Sequence, residues 1–275
     1  MKDSFKKFFP KKYLGQNFLV DPKVREKIIL ACDLKPEDII LEIGPGKGFL
    51  TKAIAPLVKK IIAVEKDFQL AQELKQTFKD TNVTIIEDDI LKYPFSQLPR
   101  NIKIVGNLPY NIATAIIEKI ILTYRTTNGF YMTIQREHAQ RLAASPNSKE
   151  YGSLTCFVQY YAKIEKIFDI KNTAFRPIPK VRSSFIRMNF YPEPLYKTNS
   201  EETFFKTIRQ AFFYRRKTLP NALSTFVEKK RLISFLEEAG ISPQLRPENL
   251  SLADYIKLSE KIDEERGWNG YQSIA

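Results

Sequence analysis

The stretch Ile39–Ile43 followed by Gly44-Pro45-Gly46-Lys47-Gly48 reads Ile-Ile-Leu-Glu-Ile-Gly-Pro-Gly-Lys-Gly, an apolar run that ends in a turn with three glycines. Such a run, bounded by Asp38 and the glycines, predicts a buried strand. The glycine turn lets backbone approach a ligand closely at the start of a following helix. It is not a full G-x-G-x-x-G fingerprint, because Phe49 occupies the final slot. Working outward, residues 49–58 predict a helix, Lys60–Glu65 a strand, and residues 67–79 a helix. Residues 83–86 and 102–106 predict strands, 113–124 a helix, and Phe130–Gln135 a further strand. Strands alternating with helices imply an α/β fold with a parallel sheet covered on both faces. Such sheets bind ligands beyond the carboxyl ends of their strands, where the strand order switches.

After residue 190 the pattern changes. Residues 190–200 contain Pro192 and Pro194 and read as a linker; helical patterns follow at 202–214, 231–238 and 252–262, without a convincing strand. The expected organisation is a large α/β domain over residues 1–190, opening with a basic segment at 1–25, and a small all-helical domain over 191–275.

The chain has 275 residues, with 44 Lys and Arg against 31 Asp and Glu, a net charge of +13. Hydrophobic content of 43% with 27% charged residues excludes wholesale disorder. No apolar run reaches the length of a membrane helix; even residues 116–122 are broken by Glu118 and Lys119. Two cysteines, Cys32 and Cys156, and one histidine, His138, exclude a disulfide framework and most metal sites, so no metal is expected. The cysteines read as core fillers and His138 as a polar helix residue. With no signal-peptide apolar core, a cytoplasmic address is expected. The positive charge is concentrated. Residues 1–25 net +5, and residues 171–187 and 206–217 each hold five basic residues and no acid, leaving −2 for everything else. Segregation of this kind fits a polyanion, and nucleic acid above all.

Glu65 closes the second strand of the alternating region, 21 residues after Gly44. A carboxylate there can accept hydrogen bonds from both hydroxyls of an adenosine ribose. In Glu87-Asp88-Asp89, after the third strand, Asp89 can accept one from the exocyclic amine of an adenine. Nicotinamide dinucleotide and S-adenosylmethionine both contain adenosine, so these features leave the two open. The next motif separates them. Asn107-Leu108-Pro109-Tyr110, after the fourth strand, resembles the motif of adenine-amine methyltransferases. The adenine amine is a poor nucleophile, since its lone pair is delocalised into the ring. Acceptors on the Asn107 side chain and the Leu108 main chain favour a pyramidal nitrogen with its lone pair aimed at an electrophile. Pro109 stiffens the turn and Tyr110 offers a flat face to an extruded base.

Taken together, several segments between residues 15 and 223 resemble the KsgA-type ribosomal small-subunit RNA adenine dimethyltransferases. They are GQNFLVD at 15–21, EIGPGKG at 42–48, Glu65, Asp89, NLPY at 107–110, AFRPIPKVRSS at 174–184 and AFFYRRKTLPNAL at 211–223. The resemblance implies a Rossmann-like seven-stranded methyltransferase core with a small C-terminal helical domain, and S-adenosylmethionine as methyl donor. It implies dimethylation of the N6 amines of two adjacent adenosines in a hairpin loop near the 3′ end of small-subunit (16S) rRNA, in ribosome biogenesis. It places Asn17, Leu19, Gly44, Gly46, Glu65, Asp89 and Asn107 against the cofactor, and Asn107, Leu108, Tyr110 and Phe175 around the target base. Asn17 and Leu19 have no ligand signature of their own; read locally, Asp21 is a helix cap and Pro22 a first helical residue. Lys180, Arg182, Arg215, Arg216 and Lys217 are expected to contact RNA. A monomer acting on rRNA within a partly assembled 30S particle, away from membranes, is the expected working state.

Three alternatives fit parts of the sequence. Macrolide-resistance methyltransferases of large-subunit rRNA share the core, but typically have isoleucine at the place of Leu108 and lack the glycine at Gly15. A non-catalytic nucleic-acid binder is opposed by the intact NLPY, Glu65 and Asp89. A dinucleotide oxidoreductase is opposed by the imperfect glycine fingerprint and the basic windows.

Overall fold

The structure is a computed structural model and describes residues 15–272. Residues 1–14, and with them most of the basic N-terminal segment, lie outside the described residues. Seven strands form one sheet: β2 (Ile39–Ile43), β3 (Lys60–Glu65), β4 (Val83–Glu87), β5 (Lys103–Asn107), β6 (Phe130–Gln135), β7 (Ala162–Ile170) and β9 (Ser183–Phe190). Their order is β4-β3-β2-β5-β6-β9-β7, and β1 (Phe18–Leu19) pairs separately with β8 (Phe175–Arg176). The β2–β3, β3–β4, β2–β5 and β5–β6 ladders are parallel, and β9 runs antiparallel to β6. Ile40, Leu41 and Ile43 of β2 are all but inaccessible, as expected of a strand covered on both faces. The chain leaves β2 for β3 on one side and reaches β5 on the other, so the switch in strand order lies between β2 and β5.

Local chemistry starts and stops the helices. Asp21 caps α1 (Pro22–Ala31), accepting from the Lys23 and Val24 amides at 2.9 and 3.3 Å, and Pro22 fills the first helical position. Asp67 caps α3 (Phe68–Thr77) through the Gln69 amide. The helix expected over residues 49–58 is shorter: α2 (Thr51–Ile54) gives way to a 3₁₀ turn at Ala55–Leu57, where Pro56 cannot donate to an α-helical ladder. α4 (Ala113–Thr123) buries Ile116, Ile117, Ile120 and Ile121, and α5 (Arg136–Leu142) follows directly on β6.

The described chain divides into two compact units, one reaching to Ala139 and including Lys163–Phe190, the other comprising Gln140–Ala162 and the residues from Tyr191 onward. The expectation that residues 1–190 form one domain is therefore corrected. Residues 140–162 belong with the second unit, because their aromatic side chains pack there. α6 (Ser153–Tyr161) meets α7 (Glu201–Phe213) through Tyr160 and Phe204, with ring centroids 5.0 Å apart, and the Tyr161 hydroxyl donates to Glu201 Oε2 at 2.6 Å. Tyr151 stacks edge-on against Phe212. α8 (Leu219–Ala222), α9 (Lys229–Glu238) and α10 (Leu252–Gln272) complete this helical unit. Among the described residues, no helix is long and apolar enough to cross a membrane.

Candidate active site

In the first unit, a cavity of about 270 Å³ opens beyond the carboxyl ends of β2, β3 and β5. Its floor is the glycine turn. Gly44 and Gly46 have φ of +64° and +59°, a region that side chains disfavour, and a Cβ on Gly46 would stand 2.9 Å from the Phe18 ring. Glu65, at the end of β3, fastens this turn from the neighbouring strand: its Oε2 accepts the Gly46 amide at 3.0 Å and its Oε1 the Asp67 amide at 2.8 Å. Each carboxylate oxygen keeps a second acceptor position, so the residue can bind the turn and a ligand hydroxyl together. Burial raises the Glu65 pKa, with the backbone donors opposing.

Glu42 faces the same cavity and was not singled out from the sequence. The residue is 2% exposed, and its Oε2 is buried with no hydrogen-bond partner among the described residues. Burial pushes its pKa up to about 7; the nearby Glu65 pushes the same way, and the buried Thr51 opposes. Asp89 lies farther along the wall. Its Oδ2 pairs with Lys66 Nζ at 2.8 Å and its Oδ1 accepts the Leu91 amide at 3.0 Å. Partial burial raises its pKa, but these partners outweigh it and the net shift is downward. Asp89 therefore stays an anionic acceptor at neutral pH.

Asn107 closes β5. Its Nδ2 donates to the Asn17 carbonyl at 2.7 Å, which settles which way the amide faces. Its Oδ1 is buried and has no hydrogen-bond partner among the described residues. An unmatched buried acceptor carries a desolvation cost of roughly 1–3 kcal/mol, tolerated here at the wall of a cavity. The adjoining turn is firmly held: the Leu108 amide bonds Thr133 O at 3.1 Å, and the Ile112 amide bonds Pro109 O at 3.2 Å. The Tyr110 and Ser183 hydroxyls lie 2.7 Å apart, and burial raises the phenol pKa. Ser183 falls within the quoted segment 174–184 but was given no role, because its role depends on β9 returning beside β6.

Asn17, Leu19, Gly44, Gly46, Glu65, Asp89, Asn107, Leu108 and Tyr110 all line this one cavity. Phe175 does not. Its side chain is fully buried in the core with Leu19, Ile170, Ala174 and Phe185, in register with Leu19 across the β1–β8 pair, so it presents no face to a base. Lys180 and Arg182 are exposed. In the second unit, Arg216 and Lys217 are exposed, and the Lys217 ammonium sits 4.3 Å from the Tyr214 ring centroid. Arg215 differs: its guanidinium is paired with Glu248 and donates to the Ser148 carbonyl, so it braces its own unit.

Strand order, switch point and glycine turn define a Rossmann-like α/β methyltransferase fold. Comparison with known proteins narrows this. A family model described as ribosomal RNA adenine dimethylase matches residues 8–264. The "Ribosomal RNA small subunit methyltransferase A" of Clostridium botulinum (strain Loch Maree / Type A3) is 41% identical over 256 residues, covering 91% of this chain and 93% of that protein. The protein of that name in Halothermothrix orenii is 38% identical over 274 residues, covering 94% and 91%. Among solved structures, a dimethyladenosine transferase from Plasmodium falciparum superposes with a TM-score of 0.79 at 26% identity, over 90% of this chain and 98% of that one. The 23S rRNA methyltransferase ErmE superposes at 0.70 with 25% identity, over 90% and 100%. The chain belongs to the ribosomal RNA adenine dimethylase family.

Proposed function

We propose that the protein dimethylates the exocyclic N6 amine of two adjacent adenosines in a hairpin loop near the 3′ end of small-subunit rRNA, with S-adenosylmethionine as donor. The observation that carries this reading is the unmatched, buried Asn107 Oδ1, held through Nδ2 on a residue that lines the same cavity as the glycine turn. The donor fits the residues present: the glycine turn admits close approach, Glu65 keeps acceptor capacity for ribose hydroxyls, and anionic Asp89 can accept from an adenine amine. When bound, S-adenosylmethionine supplies an electrophilic methyl group on sulfur.

Asn107 Oδ1 accepts one hydrogen of the target amine and the Leu108 carbonyl accepts the other. Two acceptors on one side of the nitrogen favour a pyramidal geometry and aim its lone pair into the cavity. Tyr110, restrained through Ser183, offers its ring to the extruded adenine. Its raised pKa keeps the phenol neutral. The methylated nitrogen is cationic and strongly acidic, so water takes its proton and no protein base is needed. Lys180, Arg182, Arg216 and Lys217 contribute phosphate contacts. Relatives at 38–41% identity carry the small-subunit name, whereas the large-subunit enzyme is 25% identical, which supports the small-subunit target. The working context is a monomer in the cytoplasm acting on a partly assembled 30S particle.

Asn107→Ala tests the alignment role. The variant should bind rRNA and most of its S-adenosylmethionine as wild type does, and lose about a hundredfold or more in single-turnover methyl transfer. Transfer within a few-fold of wild type, measured with the same donor and RNA, would refute it.

A further inference from the structure

Residues 177–182, Pro-Ile-Pro-Lys-Val-Arg, form a short basic loop with an apolar tip: Ile178 is 53% exposed and Val181 44%. Both ends are tied to the cavity wall. Before the loop, Arg176 pairs in register with Phe18, and Phe175 with Leu19. After it, Ser183 bonds the Tyr110 hydroxyl at 2.7 Å. Phe18, Leu19 and Tyr110 all line the cavity. Ile178 is two residues from the first anchor and Val181 two from the second. At the reach of an extended chain, each Cα is held within about 7 Å of its anchor.

The loop is also stiff. Prolines on both sides of Ile178 restrict its backbone to extended geometry. Pro179 is buried and its carbonyl accepts from Asn172 Nδ2 at 3.3 Å; the Arg182 carbonyl accepts the Arg136 amide at 3.0 Å. Arg176, Lys180 and Arg182 are exposed around the tip, and residues 171–187 contain no acid. A rigid aliphatic side chain displayed among cations beside a cavity suits insertion into a nucleic-acid base stack.

We infer that Ile178 is a wedge, entering the gap that the target adenine leaves in the rRNA base stack and so holding that base in the cavity. The inference rests on the methyltransferase reading above and makes Ile178 a positioning residue, remote from the reacting atoms. Loss of its aliphatic contact in Ile178→Ala should cost about tenfold.

The test uses a hairpin RNA with 2-aminopurine at the target position, read by fluorescence in the presence of S-adenosylhomocysteine. The same variants are assayed for methyl transfer to the unmodified hairpin and to one with an abasic site beside the target adenosine. Wild type should brighten the probe. Ile178→Ala should reduce the brightened fraction and slow transfer about tenfold, while Ile178→Leu restores both. On the abasic hairpin, where no stacking partner remains, wild type and Ile178→Ala should react alike. Because the side chain is exposed, the thermal midpoint should not move. Wild-type brightening and transfer in Ile178→Ala would overturn the wedge while leaving the methyltransferase reading intact. A defect equal on both RNAs and not rescued by leucine would overturn it as well. So would a defect confined to assembled 30S particles, which would assign Ile178 to a protein contact. Absence of brightening on the hairpin, together with absence of transfer by wild type to unmethylated small subunits, would fail the underlying reading.

Discussion

Glu42 and Phe175 are the residues whose surroundings say most that the sequence does not. Glu42 is an acid closed off from water with one oxygen unmatched and a pKa pushed up to about 7 by burial. An unfolded chain releases that proton near the usual glutamate value of 4.5. Between these values the folded chain holds the extra proton, so stability falls as pH rises through the window, and the penalty is complete above it. Glu42→Gln should therefore gain on the order of 3 kcal/mol over wild type at pH 8, shrinking to about 1 kcal/mol or less at pH 5. Urea unfolding at the two pH values measures this; an equal gap at both would contradict a titrating Glu42. Phe175 teaches the converse. Its motif resembles one that touches the target base, yet here the ring is core. Phe175→Ala should lower unfolding free energy by about 3–5 kcal/mol, as a large core truncation does. A ring that merely stacked on RNA would leave the midpoint of thermal unfolding where it was.

At the scale of elements, what could be read in advance followed from burial. β2, β3 and β6 are mainly apolar and almost wholly buried, and their bounds match the sequence expectation residue for residue. β7 was not foreseen: Lys163, Glu165, Lys166 and Asp169 break up the apolar residues without a regular alternation, on an edge strand whose pairing partner is distant in sequence. The same division runs through the site. Gly44, Gly46, Glu65, Asp89 and Asn107 stood out because strand ends announce themselves in an alternating α/β pattern. The Asn17 carbonyl that orients Asn107 lies 90 residues away, and Ser183 lies 73 from Tyr110, so neither could be seen before the chain was folded. The basic segment after α7 divides by partner. Replacing Arg216 and Lys217 with alanine should weaken rRNA binding and flatten its log–log salt dependence by about one to two. Arg215→Ala should instead cost up to about 1 kcal/mol of stability, since its ion pair with Glu248 is partly exposed. An unchanged slope in the double variant would mean that those two side chains do not meet phosphate.

For the whole molecule, the net charge of +13 serves a neutral catalytic chemistry. The cavity is lined by glycine backbone, by Glu42, Glu65 and Asp89, by amides including Asn107, and by Lys47, Lys52 and Lys66, while the basic windows 171–187 and 206–217 contribute nothing to its lining. Affinity for a polyanion and alignment of a single nitrogen are thus separate tasks on separate parts of the chain. One paired-domain expectation failed here because chain order is not packing order: residues 140–162 interrupt the first unit and supply aromatic rings to the second. The central claim is that the cavity joining the glycine turn to Asn107 completes two methylations on each of two neighbouring adenosines. Mass spectrometry of unmethylated small subunits, after incubation with the protein and isotopically labelled S-adenosylmethionine, tests it most directly. The account predicts two labelled methyl groups on the N6 nitrogen of each of two adjacent adenosines near the 3′ end of the small-subunit rRNA. Label on a ribose, on another ring nitrogen or in large-subunit rRNA, or adenosines left with one methyl at saturating donor, would contradict it.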